Sequence, residues 1–160
     1  MASGAALHID VETEDAAWGA DVADLDAIVE RAARLAGRGA RGSITILLTD
    51  DATVRDLNAR FRDKDRPTNV LSFPGADIPM PGQPPHLGDI VLARGVCASE
   101  AAAQGKTLAS HLTHLVVHGV LHLRGRDHMT DAEAEAMEAE EKAILAQLGI
   151  ADPYVLIDDH

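Results

Sequence analysis

The sequence predicts an α+β fold, a single domain over residues 1–160 in which a small sheet is followed by a helical half. Three observations predict it. The chain has 160 residues, the size of one ordinary domain. Its short β-type segments all lie before Ala93, and from Val96 onward the apolar residues recur at helical spacing. It has neither an internal repeat nor a linker of biased composition to divide it.

Taken in order, Ala6–Val11 alternates loosely and reads as the first strand. Val22, Leu25, Ile28, Val29, Ala32 and Leu35 recur on one helical face, and "GRGARG" ends that helix. "SITILLTD" is a β-branched strand closing on a helix N-cap at Thr49 or Asp50. A short helix through Val54, Leu57 and Phe61 follows. "TNVLSFP" is a third strand stopped by Pro74, and "GADIPMPGQPPH", with four of the seven prolines, is a loop. "LGDIVLA" is a fourth strand, expected to pair with the third. Three helices complete the chain, over about Val96–Gln104, Leu108–Leu123 and Asp131–Leu148, the last capped by Thr130 or Asp131.

Composition narrows the function. Aromatics make up only 2% of the chain, which argues against an aromatic stacking sheet or barrel for nucleic acid. The lone Cys97 excludes an internal disulfide, fits a reducing cytosol and reads as a buried apolar residue. With no membrane-length apolar run and an acidic N-terminus, the expected location is the cytoplasm, away from membranes. The net charge is −12, yet Arg31, Arg34, Arg38, Arg41, Arg55, Arg60, Arg62, Lys64 and Arg66 fall in one stretch. That stretch is a candidate RNA-facing surface, and ordinary solvated helix faces are the alternative.

The segment "HLTHLVVHGVLHLRGRDHMT" holds five of the eight histidines. His118, His122 and His128 stand at HxxxHxxGxxH. Residues four apart on a helix differ by about 40° in direction and about 6 Å in height, so His118 and His122 can aim at one point. His114 shares that face but lies about 12 Å along the axis from His122, too far for both to reach one ion. Gly125 suits the turn that would bring His128 back as a third ligand. Three imidazoles leave a tetrahedral zinc with an open position, the pattern of a catalytic site, although nickel or copper would also bind. His111 and His114 read first as packing, supporting or RNA-facing residues, with a part in the chemistry as the alternative, His114 being within reach to serve as general acid or base. Asp127 is a candidate either to orient an imidazole or to cap the turn. Zinc peptidases with this spacing carry a glutamate after the first histidine as general base. Here that residue is Gly119, which cannot take a proton, so ordinary peptide hydrolysis is disfavoured.

"HGVLHLRGRDH" resembles the HGxLHLxGxDH signature of the YbeY family, bacterial metal-dependent endoribonucleases of ribosome maturation. "NARFRDKDRPTNVLSFP" is similar to that family's N-x-x-(Y/F)-R-x-K-D-x-P-T-(D/N)-V-L-S-F-P. "LGDIV" and "LGIADPY" agree as well, while Arg126 stands where the family often has Tyr. The resemblance covers nearly all of the chain past residue 45. It implies a zincin-like fold with a mixed four-stranded sheet and a metal site on a central helix. It implies cleavage of single-stranded RNA, maturation of small-subunit rRNA at its 3′ end, and ribosome quality control. His118, His122 and His128 carry over as ligands of one Zn2+ per chain, with His118 and Arg62 in catalysis. The implied partners are rRNA, the small ribosomal subunit with its proteins, and an assembly GTPase. An arginine fork suits two phosphate oxygens, which makes Arg62 the candidate phosphate clamp. Asn58, Lys64 and Asp65 are weaker candidates, Asp65 as a holder of Arg62 or Lys64. Two rival readings remain at this level: a metal-stabilised assembly factor without activity, and a zinc peptidase or amidohydrolase.

Overall fold

The computed structural model describes residues 7–75, 85–124 and 131–149. The proline-rich loop between the third and fourth strands, Gly125, Asp127, His128, the Thr130 cap and the "LGIADPY" ending lie wholly or largely outside the described residues. The elements are β1 (Leu7–Thr13), α1 (Ala17–Asp21), α2 (Leu25–Ala36), β2 (Gly42–Thr49), α3 (Asp51–Arg62), β3 (Val70–Pro74), β4 (His86–Ala93), α4 (Arg94–Ala103), α5 (Leu108–Leu123) and α6 (Asp131–Gln147). The sheet runs β1-β2-β4-β3. Strands β1, β2 and β4 are parallel, and β3 pairs with β4 at one edge, the pairing the sequence predicts, in antiparallel orientation.

Alternation along the strands divides the side chains between two cores. Ile44, Ile46, Leu48, Ile90 and Leu92 join α2, α5 and α6 in the larger one. Leu71 and Val91 turn the other way, onto Val54 of α3. Helix α5 has the predicted bounds. It opens on Thr107, whose hydroxyl accepts from the Ser110 amide at 3.1 Å, and it buries Leu112, Val116, Val117, Val120 and Leu121. Gly119 lies on the same buried side. A Cβ there would stand 3.0 Å from Ile90 Cδ1 of β4, so the glycine is what lets α5 approach the sheet.

The first helix differs from the sequence expectation. The structure starts α2 at Leu25, not Val22, because Asp24 takes left-handed angles of φ 54° and ψ 39° and interrupts the periodic run. Val22 is buried just outside it. The short α1 carries no periodicity from which to predict it, and five residues are too few to hold a helix unaided. It is held by tertiary contact: Trp18 is buried and its indole N–H donates to the Thr49 carbonyl at 2.9 Å. Helix α3 does start as expected. Asp50 caps it by accepting from the Thr53 amide at 2.8 Å, a bond that also holds the Asp50 carboxyl below its usual range. Cys97 is buried, and burial pushes its thiol up to about 12, which makes it unreactive. No helix among the described residues is long and apolar enough to cross a membrane.

Candidate active site

A cleft of about 410 Å³ opens between edge strand β3 and helix α5, lined by Arg62, Val70, Ser72, Pro74, His118, His122 and Leu123. His118 and His122 are one helical turn apart, and their Nε2 atoms approach to 3.1 Å. The other ring nitrogen of His118, Nδ1, faces the carboxylate of Glu141 on α6. Glu141 is fully buried. A buried carboxylate needs a donor, so the His118 proton belongs on Nδ1 and its Nε2 lone pair points to the same spot as His122. Two imidazole nitrogens converging on one point fit a divalent metal ion. Among the described residues no group of three or more His, Cys, Asp and Glu is gathered to hold one, and the third expected ligand, His128, lies outside them.

Arg62 reaches this cleft from the opposite face of the sheet by rounding its edge. Helix α3 ends directly after it, with Asp63 in the left-handed region at φ 59° and its amide donating to the Asn58 carbonyl. The Lys64 amide donates to the same carbonyl at 3.2 Å, and the buried Asn58 side chain donates to the Arg66 carbonyl at 2.8 Å. Asn58 therefore closes the turn that aims Arg62. One terminal nitrogen of Arg62 donates to the Ser72 carbonyl at 2.7 Å, and the guanidinium lies 5.6 Å from the Phe73 ring centre. These contacts leave most of a five-donor fork to face a ligand.

One expectation needs correction. Asp65 holds neither Arg62 nor Lys64; it takes Arg55 at 2.8 Å, and the pairing lowers the Asp65 pKa and raises that of Arg55. In the cationic stretch from Arg31 to Arg66, Arg34 also pairs with Glu30 at 2.9 Å and Arg60 with Asp56 at 3.1 Å, both exposed pairs along one helix.

Sequence reasoning missed the carboxylates behind the histidines. Glu141 sits among Met137, Ile144 and Leu145, all buried, at spacings that mark one helical face. A glutamate within an apolar stripe was the available signal. His111 is buried beside α4, where its Nε2 meets Glu100 at 2.8 Å. Asn69, at the entrance to β3, donates to the same Glu100 oxygen at 3.0 Å. Burial lowers the His111 pKa, opposed by the Glu100 contact. His114 lies 3.9 Å from Glu141. Both extra histidines thus brace the helix from inside, one of the roles expected of them.

Glu141→Gln is expected to lower the affinity of His118 and His122 for a divalent ion about 10- to 100-fold, the usual effect of losing a carboxylate behind a ligating histidine. A competition titration against a chromogenic chelator measures it, and an unchanged affinity would remove Glu141 from that role.

The profile of the family described as Endoribonuclease YbeY matches residues 9–149. The chain is 53% identical over 156 residues to Endoribonuclease YbeY of Azorhizobium caulinodans, covering 94% of this chain and 98% of the relative. It is 50% identical over 158 residues to Endoribonuclease YbeY of a Chelativorans species, covering 96% of each. In fold it is similar to the solution structure of TM1509 from Thermotoga maritima, with a TM-score of 0.57 and 23% identity over 88% of this chain and 91% of that one.

Proposed function

Because the chain belongs to the YbeY endoribonuclease family, we propose that it is a zinc-dependent hydrolase that cleaves single-stranded RNA. Its task would be maturation of small-subunit rRNA at the 3′ end and ribosome quality control. One observation carries this reading: Arg62 and the convergent Nε2 atoms of His118 and His122 line the same cleft. His118 and His122, with His128 as third ligand, would hold one zinc ion. The fold is read accordingly as zincin-like, with α5 the metal-bearing helix and residues 1–160 one domain.

When bound, zinc would supply a Lewis acid for a phosphoryl oxygen. The protein's own groups do the rest. Arg62 offers a planar fork to two phosphate oxygens and stabilises the charge that builds on them as phosphorus is attacked. Ser72 and Phe73 fix the direction of that fork, and Glu141 fixes the ring of His118. Peptide hydrolysis is disfavoured, because Gly119 is packed against Ile90 and offers no base. By the family's role, the partners are the small subunit with its proteins and an assembly GTPase.

The test uses one RNA sequence, free and annealed to its complement, with chelated protein and protein restored with one zinc equivalent. Restored protein is expected to cut the free strand, spare the duplex and lose activity on chelation. Equal cutting of both forms, or indifference to chelation, would sink the proposal.

A further inference from the structure

Phe61 is 67% exposed, the exposed large hydrophobic side chain among the described residues. The chain has only two phenylalanines, and here they touch: the Phe61 and Phe73 rings meet edge to face at 5.6 Å between centres. Phe73 is also the ring beneath the Arg62 guanidinium, and Arg62 lines the histidine cleft. So an exposed aromatic face, a partly buried aromatic and the arginine follow one another around the rim of the β3 edge. In a chain so poor in aromatics, leaving a phenylalanine in water gives up burial that would stabilise the fold. The contact with Phe73 restricts the ring while its exposed face stays open.

We propose that Phe61 is a base-stacking subsite, which takes an unpaired nucleobase flanking the phosphate held by Arg62. This rests on the reading of the cleft as an RNA-cleaving site. Every base has a π-face, so stacking accepts any sequence but demands that the base be unpaired. The subsite would therefore help to select single strands. The low aromatic content excludes a broad stacking platform, but one ring beside a phosphate clamp needs only two phenylalanines.

The probe is a single-stranded oligoribonucleotide carrying 2-aminopurine at successive positions, titrated with chelated, non-cleaving protein. Wild type is expected to quench the probe at one or two adjacent positions. Phe61→Leu, which keeps an apolar contact with Phe73, should lose the quenching and bind about tenfold more weakly. Phe61→Tyr should retain both. In zinc-restored protein, KM should rise about tenfold in Phe61→Leu with kcat within about twofold of wild type. Thermal melts of all three should coincide, since the ring is largely in water. Wild-type quenching and affinity in Phe61→Leu, or no quenching by wild type at any position, would overturn the inference. Quenching without cleavage by wild type would leave the stacking subsite standing and sink the nuclease reading instead.

Discussion

Under the proposed function, RNA cleavage is expected to vanish in His122→Ala and to fall about two to three orders of magnitude in Arg62→Ala, the first variant failing to bind a metal ion and the second retaining that ability. The two residues face one cleft but would do different work. Removing His122 takes away one of two convergent nitrogens and would leave the proposed ion too few ligands. Removing Arg62 leaves the histidines untouched and takes away the fork that stabilises phosphoryl charge. His118→Ala is a poorer probe. It would also deprive the buried Glu141 of the imidazole it faces, and loss of folding would mimic loss of chemistry. Arg62→Lys should recover little, because an ammonium is a point charge and cannot grip two oxygens in a plane. Zinc content, thermal melts and single-turnover cleavage on identically purified proteins separate these cases. If all variants cut RNA at the wild-type rate, the activity is a contaminant and the cleft serves another purpose.

Much of this site is legible in the sequence, unevenly and for physical reasons. The His118–His122 pair can be read because it depends only on helical geometry, a spacing of four residues within one helix. Arg62 cannot be read that way. From composition it is a surface arginine, and only its resemblance to a family motif singles it out. Its position depends on Asp63 adopting left-handed angles and on Asn58 closing the turn, neither of which follows from propensity. Glu141 illustrates a third case. Its partner is 23 residues away on another helix, so local pattern could mark it as anomalous but not say what it meets. Arg55 is nearer that limit, since its partner Asp65 lies ten residues on, past the end of α3, whereas Arg34–Glu30 and Arg60–Asp56 are four apart on one helix and can be read from spacing alone. Asp24 and α1 were lost because interruptions and five-residue helices are decided by packing, here the burial of Trp18.

Gly119→Glu is expected to cost more than about 3 kcal/mol of stability, a large share of the roughly 5–15 kcal/mol that holds a domain together. It is also expected to confer no peptidase activity. Position 119 is turned about 100° round the helix from His118. In this chain that direction is occupied by β4, with Ile90 Cδ1, Cγ2 and Cγ1 at 3.0, 3.2 and 3.3 Å from where a Cβ would lie. A glutamate must push α5 off the sheet, or bury a carboxylate against isoleucine with no donor supplied. Either outcome disturbs the helix that carries both histidines. Gly119→Ala separates the two costs. It gains about 1 kcal/mol of helix propensity and meets only the Cβ contact, which a small shift of Ile90 relieves, so its net change should be much smaller. Urea unfolding of the three proteins would rank them wild type and Ala together, Glu far below. A Gly119→Glu protein as stable as wild type would mean that α5 does not pack on β4 through this position. The glycine that replaces the peptidase base would then be a matter of chemistry alone, whereas close packing makes it a requirement of the fold as well.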